Sequence, residues 1–131
     1  MIVDSSAMIA ILLKETGYDL YAHAIARART KRLGSPAYLE CSAALLRLGI
    51  SASHDVDALI ERSGIEVVDF TAHQARIARR AYARYGKGRH EARLNFGDCM
   101  AYALAVDYGE PLLYKSDDFA LTDVVSALPP R

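Results

Sequence analysis

The sequence predicts an α/β fold in which a short parallel sheet is flanked by helices on both faces. Short apolar segments alternate with longer helical patterns, glycines end several of those patterns, and the 131-residue chain is 52% hydrophobic. Alternating strands and helices are typical of parallel sheets, because each helix that connects two strands must cover one face of the sheet. The length suits one hydrophobic core, so we expect a single domain over residues 1–131.

The first half of the chain predicts two strands and four helices. In chain order, we expect a strand at residues 1–3, helices at 7–15 and 18–32, a strand at 33–35, and helices at 35–49 and 54–63. The third helix has the clearest start, because Ser35 offers a hydroxyl for the N-cap position and Pro36 suits the first turn. The second helix ends in a run of basic residues.

The second half continues the alternation. We expect a strand at residues 65–68, a helix at 71–85, a basic loop at 87–95, a helix at 95–108, a strand at 111–114 and a last short strand around 124–125. Gly86 and Gly109 end the two helices, and the β-branched residues at 65–68 favour a strand.

Composition excludes several classes of protein. Sixteen Lys and Arg balance sixteen Asp and Glu, which argues against a nucleic-acid binder that acts by bulk positive charge but permits local patches. No apolar run approaches the roughly 18 residues of a membrane span. The N-terminus MIVDSS lacks the basic region of a secretory signal, so we expect a cytoplasmic protein. Cys41 and Cys99 form no metal or redox pattern, and we expect both to be buried.

Acidic side chains follow the predicted strands and begin the predicted helices. Asp4 follows the first strand, and Asp117 and Asp118 follow the penultimate strand. In a parallel sheet these residues emerge at one edge, where functional groups of such folds lie. Glu40 and Asp98 lie early in helices that must return across the sheet, so both can approach that edge.

Each acid taken alone has a structural explanation. Asp98 stands three residues after Asn95 and fits a capping box, while Asp117 and Asp118 are ordinary turn residues. Asp4 is harder to explain in this way, because it lies between an apolar strand and an apolar helix, where an unpaired buried charge is costly.

Convergence of four carboxylates would require a cation. At about 5 Å and an effective dielectric near 20, each pair repels by roughly 3 kcal/mol. An all-oxygen set of ligands favours Mg²⁺ or Mn²⁺ over zinc. Such an ion activates water and stabilises charge on a phosphoryl group, which is the chemistry of metal-dependent nucleases.

A basic segment leads into the helix that carries Asp98. The candidate contacts to a phosphate backbone are Arg79, Arg80, Arg84, Arg89 and Arg93, and Glu91 is the one acid within residues 76–93. These arginines could guide a nucleic acid toward the acidic residues. A solvated helix face, paired with acids elsewhere, is the alternative.

Four segments together resemble the PIN domains of VapC-type toxins from bacterial toxin–antitoxin pairs. They are VDSSAMIAIL, SPAYLECSAAL, LNFGDCMAYALA and LLYKSDDFALTDV, and they occur in family order over essentially the whole chain. The resemblance implies a PIN-like fold and a Mg²⁺- or Mn²⁺-dependent endoribonuclease that cleaves cellular RNA, such as tRNA or rRNA, and so arrests growth.

The resemblance also assigns roles to residues. Asp4 and Asp98 match the principal metal-binding acids of the family, and Glu40 matches the acid of its second motif. Ser6, in an Asp-x-Ser pattern, is expected to hydrogen-bond an acid, with an N-cap role for Ser5 or Ser6 as the alternative.

The fourth acid of the family falls on one of two neighbours. Either Asp117 or Asp118 matches it, and we expect both to serve catalysis and Asp117 to be the fourth metal ligand. Ser116 replaces the usual glycine in this turn, so the resemblance does not determine the backbone conformation there.

The resemblance further implies two protein partners. One is a VapB-type antitoxin whose C-terminal segment covers the site, often with an arginine that meets the carboxylates bidentately. The other is a second copy of the toxin in a homodimer. A non-catalytic PIN-like module that binds RNA or protein is the main alternative function. A dehalogenase-like phosphatase is a lesser alternative, and it is disfavoured because that family needs an aspartate at the position of Ser6.

Overall fold

The computed structural model describes residues 1–130, and its centre is a four-stranded parallel sheet. The strands are β1 (Ile2–Val3), β2 (Arg32–Gly34), β3 (Glu66–Val68) and β4 (Leu112–Leu113), in the order β3-β2-β1-β4. In register, Ile2 lies opposite Arg32 on one side and Leu112 on the other. The first strand of the chain is therefore an inner strand, with β2 and β4 as its neighbours.

Six helices surround the sheet. They are α1 (Ser5–Leu12), α2 (Tyr18–Arg27), α3 (Ser35–Arg47), α4 (Ala52–Ser63), α5 (Ala72–Tyr85) and α6 (Phe96–Tyr108), and a short 3₁₀ helix follows β4 at Asp117–Leu121. Along residues 1–130, no helix combines the length and the apolar character that crossing a bilayer would require.

The sheet separates two apolar clusters, as the sequence predicts. Successive residues of a strand point to opposite faces, so Ile2 and Leu112 pack with α5 and α6. Their neighbours Val3 and Leu113 pack with helices α1 to α4 on the other face. All four side chains are fully buried. The prediction of helices on both faces of a parallel sheet is therefore confirmed.

Gly34 allows α6 to lie close to the sheet and to α3. A Cβ at this position would lie 2.5 Å from Leu104 Cδ1, so any larger residue would displace the buried Leu104 side chain. Further along, the Glu40 carboxylate of α3 lies against Gly97 of α6. The two helices thus run side by side in opposite directions, which brings Glu40 near the start of α6.

Four local predictions are wrong. The first helix spans Ser5–Leu12 rather than residues 7–15, because the Asp4 side chain caps its start. The second helix ends at Arg27 rather than at residue 32, because Arg32 already belongs to β2 and its N–H bonds to Met1 O at 3.0 Å. Gly34, not Ser35, is the N-cap of α3. The last strand around 124–125 does not form, and the segment contributes one bridge, between Leu112 and Ser126.

Candidate active site

Asp4 lies at the carboxyl end of the inner strand β1 and is almost completely buried, with 3% of its surface exposed. It is the N-cap of α1, since its Oδ2 accepts hydrogen bonds from Ser6 N at 3.0 Å and from Ser6 Oγ at 2.5 Å. Ser6 Oγ in turn accepts from Lys115 N at 2.9 Å. Ser6 therefore links the ends of β1 and β4 and fixes the Asp4 carboxylate between them. Both hydrogen bonds from Ser6 fall on Oδ2, and Oδ1 accepts neither of them.

Asp98 occupies the first turn of α6 and takes part in a capping box. Asn95 Oδ1 accepts from Asp98 N at 2.9 Å, and Asp98 Oδ2 accepts from Asn95 N at 3.0 Å. The structural explanation of Asp98 is thus correct, but it uses one carboxylate oxygen only. Oδ1 remains available to bind a ligand, so capping and a functional role are compatible.

Glu40 reaches the same edge from α3. Its Oε2 accepts a hydrogen bond from Ser5 Oγ at 3.4 Å. Its carboxylate rests on Gly97, where an added Cβ would lie 2.5 Å from both oxygens. Gly97 could not be identified from the sequence, because no local pattern connects a glycine in the first turn of α6 with Glu40, 57 positions earlier.

The charges of these acids act on one another. Burial raises the pKa of Asp4 to about 6, the hydrogen bonds from Ser6 lower that pKa, and the Glu40 charge raises it. Burial likewise raises the pKa of Asp98 to about 6. The hydrogen bond from Asn95 N lowers that pKa, and the charges of Asp4 and Asp118 raise it.

The pKa of Glu40 is raised as well, first by burial and then by the charge of Asp98. Each of the three groups thus costs free energy when it is ionised, and each is near enough to another carboxylate to sense its charge. A set of one buried and two half-buried carboxyl groups that prefer to lose negative charge is suited to a cation.

The turn after β4 distinguishes the two candidate acids. Asp117 is exposed, whereas Asp118 is half-buried, and its charge is one that raises the pKa of Asp98. Ser116 caps the 3₁₀ helix, since its Oγ accepts from Asp118 N at 3.3 Å. The serine that replaces glycine therefore has a structural role of its own. The structure brings Asp118, rather than Asp117, toward the other acids.

The donor set has the chemistry of a site for a hard divalent cation. All candidate ligands are carboxylate oxygens, which suit Mg²⁺ and Mn²⁺. Among residues 1–130, however, no three acidic, histidine or cysteine side chains lie close enough to hold one ion together. Mg²⁺ keeps several waters and is usually bound through one or two carboxylates. Asp4 and Asp98, whose charges act on one another, are therefore the candidate carboxylates for such an ion.

The arginines of the basic segment differ in their surroundings. Arg84 lies 3.4 Å from Asp123 Oδ2, and its guanidinium carbon is 4.7 Å from the centre of the Tyr85 ring. Arg79 lines a groove between α5 and α6. The remaining three candidates, Arg80, Arg89 and Arg93, are exposed. Arg84 is thus partly occupied by an acid of this chain, whereas the exposed arginines are accessible to phosphate.

Comparison with known proteins gives concordant matches over the whole chain. The pattern of the PIN domain family matches residues 1–125. The chain is 49% identical over 133 residues to Ribonuclease VapC28 of Mycobacterium tuberculosis, covering 100% of both chains. It is 42% identical over 127 residues to Ribonuclease VapC of Mycolicibacterium smegmatis, covering 96% of this chain and 98% of the relative.

Solved structures share the fold at low sequence identity. The crystal structure of VapC20 from Mycobacterium tuberculosis, described as a Sarcin-Ricin loop cleaving toxin, superposes with a TM-score of 0.75 at 19% identity over 98% of each chain. A toxin-antitoxin complex from Klebsiella pneumoniae gives a TM-score of 0.70 at 14% identity over 97% of each chain.

Proposed function

Because this chain belongs to the PIN domain family and groups with its VapC ribonucleases, we propose that it is a metal-dependent endoribonuclease that hydrolyses phosphodiester bonds in cellular RNA. We further propose that it is the toxin of a toxin–antitoxin pair and acts in the cytoplasm. The observation that carries the proposal is the convergence of Asp4, Glu40 and Asp98 at one sheet edge, each with a raised pKa.

The proposed roles follow from which oxygen atoms are already engaged. Ser6 and Asn95 bind Oδ2 of Asp4 and Asp98 respectively, so we propose that each carboxylate would bind Mg²⁺ or Mn²⁺ through its other oxygen. When bound, such an ion lowers the pKa of a coordinated water and neutralises charge that develops on the scissile phosphate.

Glu40 is proposed as the group that accepts a proton from the attacking water. Burial and the neighbouring Asp98 raise its pKa, which moves it toward the range where a carboxylate is an effective base. Asp118 is proposed as the fourth acid in preference to Asp117, because its charge acts on Asp98. Arg80, Arg89 and Arg93 would contact the phosphate backbone, and Arg79 would do so beside the groove.

An antitoxin of the VapB type is the proposed protein partner. A guanidinium placed among the carboxylates would satisfy them bidentately and relieve their mutual repulsion. The fold shared with a toxin-antitoxin complex from Klebsiella pneumoniae supports this partner. The family resemblance supports a homodimer as well, which sedimentation of the purified chain measures directly.

The proposal is tested by cleavage of labelled tRNA and rRNA with antitoxin-free protein. We expect cleavage with Mg²⁺ or Mn²⁺ and none with EDTA or with Asp98→Asn. The asparagine keeps an amide oxygen that can accept from Asn95 N, so the start of α6 is preserved while one charge is lost. Cleavage by Asp98→Asn at the wild-type rate would refute the proposed mechanism.

The alternative, a PIN-like module that only binds RNA or protein, makes a different prediction. It would cleave no RNA under any condition, and divalent metal would leave its melting temperature unchanged. The proposed nuclease requires that Mg²⁺ or Mn²⁺ raise the melting temperature, because an ion that binds the native state stabilises it.

A further inference from the structure

A groove between α5 and α6 combines aromatic walls with a flanking arginine. It encloses about 280 Å³ and is lined by the rings of Phe70, Tyr82 and Phe96, by Met100 and by Arg79. The Phe96 ring stands edge-on to the Tyr82 ring, with centroids 6.1 Å apart and planes at 86°. The groove is thus a slot with rings on its walls and a positive charge beside it.

Phe96 is exposed to an unusual degree for a large apolar side chain. It is the first residue of α6, and 77% of its surface is accessible. An exposed ring beside an apolar groove indicates a binding surface rather than a core position. Its ring therefore offers a stacking face to a ligand.

The groove and the acidic site both involve the first turn of α6, and they lie on opposite sides of that turn. Phe96 and Met100 are one turn apart on one side of α6, and Asp98 projects from the opposite side of the same first turn. A helix with its side chains is about 10 Å across. A single strand of RNA that places one phosphate at the acids can therefore place a neighbouring nucleotide at the groove.

We infer that this groove binds an unpaired nucleobase of the RNA substrate, next to the phosphate that is cleaved. The inference rests on the proposed ribonuclease activity. Unpaired bases are recognised by stacking on aromatic rings while arginines neutralise the adjacent phosphates. The exposed Arg76 and Arg80 stand on α5 beside Arg79, and their charge suits a nucleic acid better than an apolar peptide or a second copy of this chain.

The absence of tryptophan from the chain gives a direct test. Phe96→Trp would place the only tryptophan of the sequence at the groove, and its fluorescence can be excited apart from that of the tyrosines. In EDTA, so that no cleavage occurs, we expect single-stranded oligoadenylate to quench this fluorescence by stacking. Inorganic polyphosphate, which carries the charge without bases, should not quench it. Equal quenching by both probes, or quenching by neither, would overturn the inference.

A second measurement uses truncation of the ring. Phe96→Ala should weaken oligoadenylate binding about tenfold, within the range measured for loss of one base stack, and Phe96→Trp should retain the affinity. Val106→Ala is the matched control, because Val106 is also an exposed apolar residue of α6, with 49% of its surface accessible. Its affinity should equal that of the wild type.

Two outcomes separate this inference from the proposed function. Metal-dependent cleavage by the wild type, with unchanged RNA affinity in Phe96→Ala, would overturn the groove assignment and leave the nuclease intact. No cleavage by the wild type would refute the nuclease, whereas the tryptophan experiment would still test the groove. A change of oligomeric state in Phe96→Ala without loss of RNA affinity would assign the groove to a second copy and overturn the inference.

Discussion

Gly97→Ala should separate stability from activity. An added Cβ would lie 2.5 Å from both Glu40 carboxylate oxygens and 2.7 Å from Cδ, whereas ordinary contact begins at 3.4 Å. The flexible Glu40 side chain must therefore move by about 1 Å to restore ordinary contact with the added Cβ. The backbone of Gly97 does not adopt a positive φ, so alanine is sterically allowed there.

The expected effects have opposite signs. Replacing a helical glycine by alanine stabilises a helix by roughly 0.5–1 kcal/mol, which corresponds to an increase of about 3 °C in melting temperature for a domain of this size. Displacing Glu40 by about 1 Å should lower the rate of RNA cleavage about 100-fold. Few substitutions combine a raised melting temperature with so large a loss of rate.

The assay pairs thermal unfolding with single-turnover cleavage in Mg²⁺. A double-mutant cycle supplies the control, because Gly97→Ala should cause no further loss in a Glu40→Ala background if it acts through Glu40. A Gly97→Ala variant that unfolds as expected but cleaves at the wild-type rate would refute the reasoning. It would show that the position of the Glu40 carboxylate does not limit the reaction.

Three other perturbations test the electrostatics and the core. Asp4→Asn should raise the melting temperature in EDTA at pH 8, because ionisation of a buried carboxyl with a pKa of about 6 costs stability. That gain should shrink in thermal scans as the pH falls from the raised pKa of about 6 toward the ordinary value of 3.8, since protonation of wild-type Asp4 removes the same cost; a gain independent of pH would contradict this. Glu110→Gln removes the ion pairs with Arg32 and with the Met1 amino group at the opposite end of the sheet and should lower the free energy of unfolding by about 1 kcal/mol, while cleavage rates stay unchanged. Burial raises the pKa of the Cys41 thiol to about 12 and that of Cys99 to about 11, so a thiol reagent at pH 8 should react only after denaturant is added.

Hydrophobic patterns were sufficient to predict most of the fold. Strand and helix order, the parallel sheet and both covered faces follow from alternating apolar segments. The errors occur where tertiary pairing overrides local propensity. The largely basic residues 28–32 continue the pattern of the preceding helix, yet β2 must extend beside β1, and the chain therefore leaves the helix early.

The failed last strand has a similar explanation. Val124 and Val125 favour a strand, but Val124 N donates to Thr122 Oγ1 within a local turn. Pro129 and Pro130 follow and lack the N–H groups that a longer ladder would need. One bridge to β4 is the most that this segment can form.

The acidic site could be predicted only in part from the sequence. Parallel topology indicates that Asp4 and the acids after β4 share an edge, but the choice between Asp117 and Asp118 depends on how the Ser116 cap turns the chain. The contact of Gly97 with Glu40 joins two distant helices, and no local pattern reports it.

The position of β1 between β2 and β4 has a consequence for synthesis of the protein. Asp4 N donates to Leu113 O, and Ser6 Oγ accepts from Lys115 N, which is 109 positions further along the chain. Ribosomes add about 5–20 residues per second, so on the order of ten seconds pass between synthesis of Asp4 and Ser6 and synthesis of their partners Leu113 and Lys115. During that interval Asp4 and Glu40 are already synthesised, but β4, which completes the sheet beside β1, is not. The proposed nuclease site therefore cannot be complete until nearly all of the domain has been synthesised.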